Sequence, residues 1–312
     1  MKFVKTIPMA IPGLALALAA LGNLLAPAFA HGQIIRYICG GAGLIVLVIF
    51  VTKLLFDWPH AREELKTPIP LSALPTATMA TMLLAGYLRP YLPNISISIW
   101  WAALATQIGI MLIFAIRFLL KFSINTVFPT WFITGVGIVT ASVTAPAMGF
   151  VAVGQAAFWA GFGLYFVLLF LIIFRMNRVR IFPEPARKTI AIFMAPPGLL
   201  IAGYFQSFVA QGYVTPGIVY LLLIAASISY IYVILMIILE IRKIDFYPTY
   251  AAMTFPFVIA ATAARAGANF LATRHGAYFL TYIANGAMYL AIAAVVFVLI
   301  HYVKYFRFWM KY

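Results

Sequence analysis

The sequence predicts an all-α integral membrane protein of ten transmembrane helices, arranged as five helical hairpins with quasi-five-fold symmetry, with an inner ring of odd-numbered helices around a central pore. Three observations carry this prediction. Hydrophobic residues make up 65% of the 312-residue chain and charged residues only 9%, whereas a soluble domain is roughly half apolar. Apolar stretches long enough to cross a hydrocarbon layer of about 30 Å, which takes roughly 20 residues each, recur along the whole length. The starts of alternate stretches also share a plan that repeats about every sixty residues, near positions 5, 66, 125, 187 and 245.

The spans read as 7–27, 34–56, 69–90, 96–121, 130–149, 154–176, 189–209, 215–240, 248–270 and 276–303. Their connections are short, so residues 1–312 are expected to form a single transmembrane domain with its function inside the membrane. The first span begins with Lys2 and Lys5 and ends in "APAFAHG", which resembles a secretory signal with a small-residue cleavage site. The repeat needs this segment as its first helix, and it is read as retained.

The odd spans open with "KTIPMAIPG", "KTPIPLSALP", "NTVFPTWFITG", "RKTIAIFMAPPG" and "DFYPTYAAMTFPF". A proline in the first helical turn is tolerated because its missing N–H has no intrahelical partner there. A second breaker follows deeper in each span, at Pro12, Pro75, Gly135 with Gly137, Pro196 with Pro197, and Pro256. An interior proline is expected to kink the helix and release a carbonyl, which in lipid must be satisfied by protein or by a hydrated cavity.

The odd spans are rich in small and hydroxyl residues, as in "LPTATMATML" and "TGVGIVTASVTAP", while even spans such as "LIVLVIFVTKLLF" are bulky. Small residues let backbones approach closely, and Ser or Thr can satisfy polar backbone. This composition places the odd helices inside; a hydrated pore and a tightly packed dry core both fit it.

The chain has 21 Lys and Arg against 6 Asp and Glu, a net charge of +15. The basic residues do not form one patch, which argues against a nucleic-acid partner. Lys2, Lys5, Lys53, Arg62, Lys66, Arg117, Lys121, Arg175, Arg178, Arg180, Arg187, Lys188, Arg242, Lys243, Lys304, Arg307 and Lys311 fall on one side of the predicted topology. Arg36, Arg89 and Arg274 fall on the other, and the positive-inside rule then places both termini in the cytoplasm. That location is the plasma membrane, or the inner membrane of a bacterium.

Arg265 is the one basic residue read as lying inside a span. It is read as a snorkelling or carbonyl-capping residue, with attraction of anions at the outer mouth as the alternative. All six acids, Asp57, Glu63, Glu64, Glu184, Glu240 and Asp245, fall at span ends or loops, with no carboxylate expected in the barrel. That argues against carboxylate proton relays and acidic cation rings.

The lone Cys39 permits no internal disulfide, and His31, His60, His275 and His301 are too scattered for a metal site. No cofactor is expected. No Ser-His-Asp pattern or phosphate-binding glycine loop appears, so the chain is not read as an enzyme.

Three stretches resemble one known family: "YAAMTFPFVIAATA" at 250–263, "FPEPARKTIAIFMAPPGLLIAGY" at 182–204 and "FPTWFITGVGIVTAS" at 128–142. They are similar to the ninth, seventh and fifth spans of the tellurite-resistance and C4-dicarboxylate transporter family, which includes the slow anion channels of plant guard cells. The resemblance implies homotrimers, a central pore, and a phenylalanine beside the ninth-helix kink that plugs it. The matching residue is Phe255, and the corresponding positions elsewhere are Ile11, Leu74, Thr134 and Ala195, so one helix is expected to offer an aromatic plug.

On the helical wheel, Thr262, Ala266 and Asn269 fall near the face of Phe255 and, with Thr134, are candidate pore-lining residues. The expected function is passive conduction of small anions such as chloride or nitrate. The alternative is secondary transport of a C4-dicarboxylate such as malate, or of an oxyanion such as tellurite. A structural or sensory barrel that never conducts is a third reading.

Overall fold

The computed structural model describes residues 2–179, 187–239 and 248–311. Arg180, Glu184, Glu240, Arg242, Lys243 and Asp245, named above among the side-assigned charges, lie outside these residues.

Ten apolar helical segments follow one another: α1 (Pro12–Leu25), α2 (Gly32–Phe56), α3 (Pro68–Leu88), α4 (Pro93–Leu119), α5 (Trp131–Met148), α6 (Val151–Arg178), α7 (Lys188–Gln211), α8 (Pro216–Leu239), α9 (Thr249–His275) and α10 (Leu280–Arg307). Among the described residues, nine are long and apolar enough to cross a membrane, and α1 is shorter, at 14 residues. The first span therefore forms regular helix over only part of the predicted 7–27. Pro8 and Pro12 cannot donate, and the chain closes as turns, before Pro8 through Ile7 N–H to the Val4 carbonyl and between the prolines through Ile11 N–H to the Pro8 carbonyl.

The deeper breakers act in the same way. Rather than kinking a continuous helix, Pro12, Pro75, Pro196 and Pro256 stand in the first turn of a regular α-helix. A separate short segment precedes three of them: Pro68–Ala73 in α3, a tight 3₁₀ turn at Lys188–Met194 in α7, and another at Pro248–Met253 in α9. In α5 the interruption falls after Val136, at Gly137 and Ile138, so Gly135 lies within the short helix Trp131–Val136. A missing N–H in the first turn removes no intrahelical bond.

Burial separates the two sets of helices. The apolar windows of α3, α5, α7 and α9 are 61–72% buried, and those of α2, α4, α6, α8 and α10 only 17–33%. In α1, every residue except Asn23 is buried. Each even helix packs on the odd helix before it, while α1 contacts α3, α3 contacts α5, α5 contacts α7, α7 contacts α9, and α9 contacts α1. The bulky residues of the even helices therefore face outward, with Leu55, Leu112, Phe170, Ile228 and Tyr282 exposed.

Polar side chains tie the inner helices across their contacts. Tyr87 Oη donates to the Ala19 carbonyl at 2.6 Å, joining α3 to α1. Ser142 and Ser207 each donate to the other's helix, joining α5 to α7 at 3.1 and 2.6 Å. From outside, Trp100 Nε1 of α4 donates to Thr144 Oγ1 of α5 at 2.8 Å. Three odd-to-even connections turn on glycines at positive φ, Gly149 at 92°, Gly212 at 86° and Gly276 at 68°, which residues with a Cβ rarely adopt.

The backbones of α7 and α9 approach closely. A Cβ added at Gly198 would sit 3.1 to 3.3 Å from the backbone of Ile259 and Ala260. Backbone cannot swing aside as a side chain does. Gly198→Ala is expected to destabilise the bundle by about 1–3 kcal/mol, the usual effect of overpacking, and to lower its thermal midpoint in detergent. An unchanged midpoint would show that α7 and α9 separate freely.

Candidate functional site

At the level of the helix breaks, the five inner segments enclose a cavity of about 60 Å³. One water needs roughly 10–15 Å³ on this measure, so the space holds a few waters or one small ion. All five contribute to the wall. Gly13 and the preceding Ala10 come from the α1 region, Thr76 and Met79 from α3, Thr130 and Gly137 from the α5 region, Thr189 and Pro196 from α7, and Phe255 and Pro256 from α9.

The breaks leave carbonyls without their regular partner four residues on, and threonine hydroxyls supply donors. Thr254 Oγ1 donates to the Ala251 carbonyl at 2.7 Å and to the Gly13 carbonyl of α1 at 3.3 Å. In α3, Thr76 Oγ1 donates to the Ala73 carbonyl at 2.7 Å, and Thr134 Oγ1 reaches across from α5 to the Ser72 carbonyl at 3.1 Å. Ser72 Oγ in turn donates to Thr130 Oγ1 at 2.6 Å. Such bonds keep the interrupted backbone satisfied beside an otherwise apolar space.

Phe255 begins the regular helix of α9, directly after Thr254, and is 7% exposed. It is not the only phenylalanine on the wall: Phe132 of α5 also lines the cavity, which corrects the expectation of a single aromatic. The two differ in support. Phe132 packs edge-on against Phe193 at 5.6 Å and lies 6.0 Å from Tyr165. Among the described residues, Phe255 has no aromatic ring partner, and it shares the cavity wall mainly with small and aliphatic side chains.

The other sequence-predicted residues are dispersed. Pro196 and Pro256 line the cavity, whereas Pro12, Pro75 and Gly135 are not part of its wall. Thr134 is buried and committed to α3. Thr262 donates to the Val258 carbonyl of its own helix at 2.9 Å, Ala266 is half-buried, and Asn269 is exposed. Arg265 turns outward to α10, where Nη2 lies 3.3 Å from Asn285 Oδ1 and 3.2 Å from Met288 Sδ.

Arg265 also has company inside the spans. Lys53 of α2, Arg175 of α6 and Lys188 of α7 are all buried, at 1%, 2% and 0% exposure. Lys188 Nζ lies 3.1 Å from the centre of the Tyr250 ring, and the Arg175 guanidinium lies 4.9 Å from that of Phe128, as in cation–π pairs. Lys53 donates to the Ile7 carbonyl at 2.6 Å and to the Glu64 carboxylate. Lys53 and Arg175 stand inside the apolar runs of predicted spans 34–56 and 154–176, a signal that side assignment alone overlooked.

The described acids, Asp57, Glu63 and Glu64, lie at the end of α2 and on the short helix after it, and Asp57 is buried. Its Oδ1 lies 3.5 Å from His60. On the short helix that follows, the Lys66 ammonium bonds Glu63 at 2.6 Å and holds that carboxyl below its ordinary range. No described residue on the cavity wall is charged. Among the described residues, no cluster of His, Cys, Asp and Glu has the makings of a metal site.

These placements make Arg265 a strut between α9 and α10. Arg265→Ala is expected to lower stability by about 1 kcal/mol and to leave anion permeation within about twofold of the parent in vesicle flux. A large change in flux at unchanged stability would return Arg265 to the conduction path.

The SLAC1 family model, described as voltage-dependent anion channel, matches residues 4–303. No curated protein matches the chain. The match takes in every cavity-lining segment, the first nine apolar helices and most of α10. The protein is thus a multi-pass member of the SLAC1 voltage-dependent anion channel family, whose members are membrane channels and transporters that carry anions.

Proposed function

We propose that this protein is a passive channel for small anions such as chloride and nitrate, formed by five hairpins with quasi-five-fold symmetry and gated by Phe255. One observation carries the proposal: all five inner segments meet at a small cavity whose wall includes the one phenylalanine that no other described ring clamps. The path then runs along the bundle axis past the helix breaks. Phe255, set at a helix start by Thr254 and Pro256, supplies an apolar constriction, and such a constriction gates by dewetting without any charge.

The wall fits weak anion passage. Threonine hydroxyls and apolar groups line it, giving an anion polar contacts without a full charge that would hold it. Conduction needs such weak binding, since an ion must leave as readily as it enters. Lys53, Arg175 and Lys188 lie toward the end of the bundle where α2 and α6 finish and α7 starts, and their charges raise the potential there for an approaching anion. The protein acts in a bilayer, with both termini in the cytoplasm and three copies per assembly.

The test is anion current under voltage clamp, comparing the parent with Phe255→Ala in chloride and then nitrate. Phe255→Ala is expected to raise the current at least about tenfold by removing the constriction. Phe132→Ala, which removes a clamped ring, is expected to reduce stability and raise the current far less. Silence in both Phe255→Ala and the parent, with protein folded and inserted, rejects the channel, and malate uptake across a pH gradient then decides for coupled transport.

A further inference from the structure

The cavity adjoins a larger opening at the end of the bundle where the N-terminal segment lies. This vestibule has a volume of about 470 Å³ and shares Ala10, Ile69, Ala73 and Thr249 with the cavity wall. Its remaining wall includes Lys5, Lys53 and Glu64. Any anion that approaches the cavity from this end passes these three charged groups.

Lys53 is placed unusually for a lysine near a helix end. It does not snorkel to the surface; its side chain is 1% exposed and runs beneath the N-terminal segment to the Ile7 carbonyl. An ammonium has three donors. One is taken by Ile7, a neutral acceptor, and one by Glu64 Oε1. Glu64 is thus the carboxylate partner of Lys53 among the described residues, and it is the more mobile end of the pair, being 39% exposed. It closes the short helix Trp58–Glu64, outside the membrane-spanning segments.

The two ends of this pair respond differently to water. Glu64 can turn outward and regain hydration by rotating its own side chain. Lys53 cannot, because the Ile7 carbonyl and surrounding segments enclose it, and an ammonium left buried without an anion is strongly disfavoured. When Glu64 leaves, the vacant place beside Lys53 favours another anion. The carboxylate of Glu64 also defines the chemistry of that place: a planar, singly charged group with oxygen acceptors.

We propose that Lys53 is the anion-binding group of the vestibule and that Glu64 is a tethered carboxylate occupying its site, displaced by a small planar oxyanion such as nitrate or a carboxylate. The proposal rests on the channel reading above and adds to it a binding step ahead of the gate. Glu64 sets the anion concentration at which that step fills, because it competes with the permeant ion for Lys53. Lys5, exposed on the same wall, contributes a second positive charge that no binding step requires.

Nitrate current is measured as a function of nitrate concentration on the vestibule side, in a Phe255→Ala background that conducts. Glu64→Gln is expected to lower the half-saturating concentration about fivefold, the scale of one nearby charge in a partly hydrated site. Lys53→Met is expected to raise it. In the double variant, Glu64→Gln is expected to change nothing further, because its effect runs through Lys53. An unchanged half-saturation in Glu64→Gln, or the same fivefold drop with Lys53 already removed, overturns the proposal while leaving a conducting Phe255→Ala channel intact.

The second readout needs no pore. Nitrate is expected to raise the unfolding midpoint of purified Glu64→Gln at about fivefold lower concentration than for the parent, and this difference is expected to vanish in the Lys53→Met background. Should Phe255→Ala prove silent, the channel reading fails on that result alone, and the midpoint series decides the vestibule site. A midpoint that responds equally to nitrate in parent and Glu64→Gln overturns it.

Discussion

In a bilayer, a polypeptide cannot leave its own N–H and C=O groups to the solvent, and that constraint governs the rest of this structure. Each inner segment breaks its helix at one level, which a lipid-facing helix cannot do. The breaks survive because they face one another, and because Thr76, Thr134 and Thr254 supply hydroxyls to nearby carbonyls. The cavity is the by-product: five interrupted segments, four of whose helices restart at prolines, do not close into a solid core. The bulky even helices then have one task, to give the lipid a continuous apolar surface.

Much of this was legible in the sequence. The proline after the first turn, the alternation of small and bulky spans, and the sixty-residue repeat identified the inner set and the level of the breaks. What the spacing could not tell is whether a proline bends a helix or begins one. That depends on whether the preceding residues keep α-geometry, and at Lys188–Met194 and Pro248–Met253 they tighten into 3₁₀ turns instead. Thr134 shows the same limit from another side: its position along the helix matched Phe255, but the Ser72 carbonyl claims its hydroxyl. Phe132 was missed because comparison by sequence position assumes that all five breaks share one register, and the α5 break after Val136 does not.

The cations were harder to read. A count of Lys and Arg by membrane side treats each as a solvated tag, and for Arg62 and Lys66, both exposed, that is adequate. For Lys53, Arg175 and Lys188 it is not. Aromatic faces and a backbone carbonyl take their charged heads into the protein, where screening by water and salt is weak. The same residue type thus does two kinds of work, and flanking sequence does not separate them, since Arg117 stands between Ile116 and Phe118 and is exposed.

The bond from Thr254 to the Gly13 carbonyl joins residues 241 positions apart in the chain. A ribosome delivers the first helix long before the ninth exists. Until then α1, whose sides are almost wholly covered in the finished bundle, has on one flank only lipid or the insertion machinery. Ring closure must consequently await the ninth helix, and the residue beside the proposed gate takes part in it. A chain cut short before α9 lacks more than a gate: it leaves an open arc in which α1 has no Thr254 hydroxyl beside its first turn.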